Sequence, residues 1–219
     1  CVDHNKKKIA LLNRGGLSIY ERGLDEIFHR NRKEGRLFFT TNPAGAIKSA
    51  EIIINAVGTP SAKNGRCDLS SVKEAAKMIG RHLNGYKVIV NKSTVPVGTA
   101  EMVEGIIKSV SKNKHEFDVA SNPEFLREGT AIQDTMEPDR IVIGCDSEKA
   151  VDILKKLYEP LKAPMVITDI GSAELIKHAS NAFLATKISF INSVARICEF
   201  SGADVEKVAE GMGYDERIG

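Results

Sequence analysis

The sequence has no excess of charge of either sign. Its 31 Lys plus Arg against 29 Asp plus Glu leave a formal net charge of +2 over 219 residues. That balance lacks the concentrated basic face with which proteins hold phosphate backbones, so no nucleic-acid partner is expected. There is also no uninterrupted apolar run. The longest candidate, 173–200, is broken by Glu174, Lys177, His178, Asn181, Lys187, Asn192, Arg196 and Glu199, whereas a bilayer-spanning helix needs about 20 consecutive, mostly apolar residues. No membrane partner is expected. Nor is there a charged start followed by an apolar stretch and a cleavage site, so a cytoplasmic location is expected. Thiols and imidazoles are scattered. Cys1, Cys67, Cys145 and Cys198 form no CxxC pair, and His4, His29, His82, His115 and His178 no HExxH-type pair. The expectation is reduced thiols and no metal.

What is present is an alternation. Short β-branched runs at 52–57, 87–90, 117–120, 140–143 and 165–168 read as strands, and between them lie helix-length segments at 68–83, 99–110 and 147–161 with apolar residues three and four apart. The chain is long enough to bury a real core, and such an order predicts a mostly parallel sheet with helices on both faces, an α/β fold. From Ser172 to about Ser201 the sequence has neither Pro nor Gly. A single helix of that length would reach roughly 45 Å, too long to pack on one sheet, and is read as a link between domains. Gly202 should stop it, and Asp204 should cap a last helix over 205–211. At the other end, Cys1-Val2-Asp3 reads as the last turn of a buried strand ending in a carboxylate, followed by a helix over 6–13. In a dinucleotide fold such a carboxylate binds the adenosine ribose, roughly 20 residues after a glycine-rich phosphate loop. Taken alone, Asp3 reads more readily as a solvated helix cap. With no loop before Asp3 and no initiator methionine, the chain is expected to be a fragment.

Three further stretches carry chemistry. Asn91-Lys92-Ser93-Thr94-Val95-Pro96-Val97-Gly98-Thr99 follows a strand and turns into a helix. Ser121-Asn122-Pro123-Glu124-Phe125-Leu126-Arg127-Glu128-Gly129-Thr130 puts two carboxylates in one loop, with Pro138-Asp139-Arg140-Ile141-Val142-Ile143-Gly144 behind it. On the long helix, Lys177 and Asn181 stand four apart, on one face. Each has an ordinary reading: a Ser/Thr cap, a polar surface loop, two solvated helix residues. Their order and spacing, together with the closing Asp215-Glu216-Arg217-Ile218-Gly219, closely resemble the UDP-glucose/GDP-mannose dehydrogenase family, and within it the UDP-glucose 6-dehydrogenases, over essentially the whole chain.

The resemblance implies a Rossmann-like, doubly wound domain over 1–170, N-terminally truncated, and over 171–219 a central helix opening an α-helical dimerisation domain. It implies NAD as cofactor, UDP-glucose as substrate, and a homodimer through the central helix. Asp3, Lys8, Val57, Thr59, Pro60, Ser93, Thr94, Val95 and Glu128 would face NAD, and a carboxylate at Asp3 would repel the extra phosphate of NADP. Glu124, Phe125, Leu126, Arg127, Glu128, Lys177 and Asn181 would hold the sugar nucleotide, joined by Arg217 from a partner subunit. Arg127 reads equally as a surface ion pair. Catalytic roles fall on Thr94 beside a water, on Glu124 as general base, and on Lys177 and Asn181 as an oxyanion pair. The family's reaction oxidises an alcohol to an aldehyde and then, through a cysteine thioester, to an acid. None of the four cysteines matches that nucleophile, so the isolated chain is expected to be inactive. Sister enzymes acting on GDP-mannose or a UDP-N-acetylated sugar, or a non-catalytic binding module, remain the alternatives.

Overall fold

The β-branched runs become five strands of one sheet in the computed structural model, which describes residues 1–112 and 115–218. Strands β1 (Ile52–Asn55), β2 (Lys87–Asn91), β3 (Phe117–Ser121), β4 (Ile141–Gly144) and β5 (Met165–Thr168) lie side by side in chain order. Neighbours run parallel except β3 and β4, which meet antiparallel at one residue pair, Ser121 opposite Gly144. Helices α4 (Ser70–His82), α5 (Thr99–Val110) and α7 (Glu148–Tyr158) occupy the segments that apolar spacing marks, and α1 (Lys6–Asn13), α8 (Ile170–Ser201) and α9 (Val205–Gly213) those read as helical on other grounds. Spacing does not mark α2 (Leu24–Lys33), α3 (Pro43–Ser49) or α6 (Ala131–Met136).

Side chains alternate across a strand, and the core divides accordingly. Ile89 and Val119 join Ile47 of α3, Val72 and Ile79 of α4, and Val103 and Ile107 of α5 in one buried cluster. Val88, Val90 and Ala120 join Ile143 and the α7 residues Val151 and Leu154 in another. Both faces of the sheet are thus covered, as parallel sheets require.

Element ends follow local hydrogen bonding. β1 stops at Asn55, two residues before the apolar run ends, because the Asn55 carbonyl accepts both the Lys92 and Ser93 N–H groups (2.9 and 3.3 Å) and the ladder gives way to loops. Asp68 stands outside α4, accepting the Ser70 N–H at 2.9 Å. Gly202, at φ +75°, returns its N–H to Cys198 O at 2.8 Å and ends α8, as a glycine in the left-handed region does. Asp204 caps α9 through the Glu206 N–H at 2.8 Å. One expectation needs correction. Val2 is not in a buried strand: it makes a single parallel bridge to Thr40 and is 47% exposed, because no second strand flanks it among the described residues.

The chain divides into two compact units, Cys1–Lys177 and His178–Gly219, with α8 beginning in the first and continuing through the second. No helix among the described residues is long and apolar enough to cross a membrane.

Candidate active site

Parallel β1, β2 and β3 deliver Asn55, Asn91 and Ser121 in register to one edge of the sheet, the edge where open α/β sheets take ligands. The loops beyond β1 and β2 are stitched together there. Ser93 Oγ donates to Val57 O at 2.6 Å and Thr59 Oγ1 donates to Thr94 O at 2.9 Å. Val95 is buried beneath this loop, Thr94 is half-buried and Pro60 is exposed. Asn55 and Asn91 are almost fully buried, and although Asn55 Nδ2 donates to Asn91 Oδ1 at 3.5 Å, Asn55 Oδ1 and Asn91 Nδ2 have no hydrogen-bond partner among the described residues. An acceptor and a donor left open beside each other mark a place built for polar company.

The loop after β3 contributes the charges. Glu124 Oε2 accepts the Leu126 N–H at 2.6 Å, which fixes the carboxylate and leaves Oε1 for the Lys177 ammonium at 3.0 Å. The Lys177 side chain is only 7% exposed and that of Glu124 30%. The Phe125 ring meets two cations, its centroid 3.8 Å from the Arg140 guanidinium and 5.3 Å from Lys177 Nζ. Behind them, Lys92 Nζ donates to Asn122 Oδ1 at 3.0 Å, the same oxygen that accepts the Tyr158 hydroxyl, and Asn122 Nδ2 donates to Val142 O at 2.7 Å. Burial pushes the Lys92 ammonium below its ordinary pKa, with Glu124 opposing and Lys177 reinforcing the shift.

Other expected residues are engaged elsewhere. Arg127 is exposed and grips Asp134 with both guanidinium and backbone (2.6, 3.2 and 2.8 Å), which is the surface ion pair. Leu126 and Glu128 are exposed in the same loop. Asp3 accepts the Asn5 N–H at 2.9 Å and pairs with Lys8 at 2.9 Å, and the two together hold its carboxyl below the usual range. In the second unit, Asn181 is exposed and Arg217 pairs with Asp215 at 2.6 Å.

The Arg127 hydrogen bonds, led by those of its side chain, bring the Asp134 carboxyl down to about 2. A carboxyl depressed in the fold adds stability above its unfolded value, near 3.8, and loses it as pH falls toward 2. The 127–134 loop should therefore loosen in that window while the sheet's protection changes less, as amide exchange at a series of low pH values would measure.

Three contributors escape the motif reading. Lys92, whose ammonium feels both Glu124 and Lys177, and Asn122, which accepts from Lys92, stand behind the Lys177–Glu124 pair. Glu174, 2% exposed, accepts the Gly98 N–H at 2.7 Å and the Ala100 N–H at 3.0 Å. The available signals are a polar residue directly after each apolar strand and an acid inside an apolar helix. Among the thiols, Cys145 and Cys198 are buried, Cys67 is half-buried with its Sγ 3.8 Å from Thr59 O, and Cys1 is exposed. Burial pushes the Cys145 thiol up, away from a reactive thiolate. Among the described residues no three side chains of His, Cys, Asp or Glu converge as metal ligands.

Comparison with known proteins places this arrangement. Residues 1–162 match the NAD binding domain of the UDP-glucose/GDP-mannose dehydrogenase family, and residues 171–219 match that family's central domain. A UDP-glucose 6-dehydrogenase of Bacillus subtilis is 56% identical over all of the chain, which covers 48% of that protein, and one of Rhizobium meliloti is 47% identical, with 51% covered. The structure of a UDP-glucose dehydrogenase from the archaeon Pyrobaculum islandicum matches with a TM-score of 0.97 at 41% identity, covering all of this chain and 51% of the other. A ternary complex of GDP-mannose dehydrogenase from Pseudomonas aeruginosa matches at 0.94 and 35% identity, covering 98% and 50%. The chain spans about half the length of the curated relatives it matches.

Proposed function

This chain belongs to the UDP-glucose/GDP-mannose dehydrogenase family, and from that premise we propose that it serves an NAD-dependent, cytoplasmic enzyme oxidising UDP-glucose to UDP-glucuronate. The observation that carries the reading is the Lys177 ammonium held 3.0 Å from Glu124 at the loop edge of a parallel sheet. Residues 1–170 act as the NAD-binding domain, and 171–219 as the central helix and the beginning of a dimerisation domain. The residues present fit the cofactor. Asp3 offers a partly exposed carboxylate for a ribose diol, with Val57, Thr59, Pro60, Ser93, Thr94, Val95 and Glu128 at the loops that follow. The bound nicotinamide supplies the hydride acceptor.

The chain's own groups do the rest. Lys177, with Asn181 four residues on, stabilises negative charge developing on the sugar oxygen. Glu124 takes a proton from water for the hydrolytic step, and Thr94 orients that water. Phe125, Leu126, Arg127 and Glu128 grip the nucleotide sugar, which requires Arg127 to leave Asp134. We assign the thioester step to a cysteine outside these residues, because none of Cys1, Cys67, Cys145 and Cys198 matches the family's nucleophile.

The test is NADH formation by the gene product read from its own start codon to its own stop codon. UDP-glucose should yield two NADH per sugar, and the 219-residue chain alone should yield none. Turnover of GDP-mannose or a UDP-N-acetylated sugar instead would reassign the substrate. Thermal stabilisation by a nucleotide sugar without NADH would mark a binding module.

Assembly belongs to the same proposal. Leu184, Ile188, Phe190, Ile197 and Phe200 of α8 are each more than half exposed, an apolar surface suited to a second copy, with Arg217 reaching the partner's substrate. Sedimentation of the gene product should give a dimer. A fully active monomer would remove both roles.

A further inference from the structure

The amides that open α5 are held by a carboxylate from far along the chain. Both oxygens of Glu174 are used, Oε2 by the Gly98 N–H at 2.7 Å and Oε1 by the Ala100 N–H at 3.0 Å, across 76 and 74 residues. A helix start leaves its first N–H groups without intrahelical partners, and a carboxylate is favoured there. This chain knows the local solution: Asn5, Asn42, Ser147 and Asp204 cap their own helices. At α5 the N-cap position is Gly98, at φ +90°, with no side chain to offer. Its cap comes instead from a side chain that is 2% exposed, and burial raises the Glu174 carboxyl above its ordinary pKa against the pull of those amides. Desolvating a carboxylate is unfavourable, and an exposed Ser or Asp would close the helix without it.

A remote cap does what a local one cannot. Glu174 lies on α8 three residues before Lys177, on the same side of the helix, and the amides it holds end the loop that carries Thr94. Resting on the assignment of Thr94, Glu124 and Lys177 as reacting groups, we propose that Glu174 is a positioning residue that sets the spacing between the Thr94 loop and Lys177. Lys177 in turn pairs with Glu124, so the loops after β2 and β3 share one reference, the first turns of α8.

The test is a double-mutant cycle in the full gene product. Glu174→Gln keeps the shape but turns an amide NH₂ toward one of the two donors. It should lower kcat on the order of 10- to 100-fold, as displacement of a reacting group does, with little change in KM for NAD or sugar. In a Thr94→Ala background the same change should have no further effect on kcat, because its target is gone. Losses that simply multiply would overturn the inference and leave the site assignment standing. An unchanged kcat for Thr94→Ala would overturn that assignment and the inference with it. Amide exchange in the same protein gives a reading independent of turnover: Glu174→Gln should speed exchange over 96–102 and spare 106–110, and unchanged exchange over 96–102 would overturn the proposal.

Discussion

Lys177→Ala in the full gene product is expected to lower turnover by on the order of 10²–10³, the loss typical of a single oxyanion donor, with a much smaller effect on NAD affinity. The expectation rests on burial and on pairing. The ammonium is almost sealed from solvent, 3.0 Å from a carboxylate that has already committed its other oxygen to the Leu126 amide. The nearby Lys92 does not substitute for it, because it gives its ammonium to Asn122. Removing Lys177 also leaves the Glu124 carboxylate without its cation, so Glu124→Gln is the necessary companion. That variant should slow hydrolysis of the thioester and let a covalent intermediate accumulate, which mass spectrometry of the quenched enzyme would detect. Turnover unchanged by Lys177→Ala would make the pair a structural ion pair and remove it from the site.

Gly144→Ala should be the most disruptive of small changes to the sheet. Its φ is not positive, so the glycine is required for space and not for conformation. A Cβ there would lie 2.4 Å from the Ala173 Cβ, 2.8 Å from Asp169 O and 2.9 Å from the Ile170 Cα. Two of these are backbone at the start of α8 and cannot rotate away, so the helix must lift from β4. Overpacking of this kind costs about 1–3 kcal/mol, or roughly 2–4 °C in Tm per kcal/mol for a chain of this size. Urea denaturation of parent and variant measures it. A variant as stable as its parent would mean that α8 yields without resistance.

The strands and the longer helices are legible in the sequence because their apolar periodicity is set by the two-sided core. The three unmarked helices lack that signature. α6 is six residues long with none buried, α3 is seven, and each of α2 and α3 buries one side chain, Phe28 and Ile47. The motif residues Thr94, Glu124 and Lys177 stand out through local wording, but their engagement does not. The pairing of Lys177 with Glu124 joins segments far apart in the chain, and Glu174 acts on backbone N–H groups, which every residue but proline possesses and which leave no mark in the sequence. The buried strand expected at Val2 fails for a related reason. An apolar residue before an acid says nothing about how many strands flank it.

The antiparallel contact between β3 and β4 bears on how the sheet comes apart. Its ladder is one residue pair long, against four or five pairs at every other strand boundary. Side chains close the seam instead: Asn122 through Val142 O, Cys145 through Val119 O, Ser147 through the Asp118 carboxylate, and Tyr158 through Asn122. Ladder amides are protected in cooperative blocks, and such blocks separate where few bonds cross. The backbone ladder is therefore weakest at that line, with β1 to β3 on one side and β4 and β5 on the other, while the cluster of Val88, Val90, Ala120, Ile143, Val151 and Leu154 spans it. Glu124 emerges directly beside that line. In a population ordered by free energy, a form that loosens the loop after β3 alone keeps that cluster, so loss of ligand-binding geometry should precede loss of secondary structure as denaturant rises.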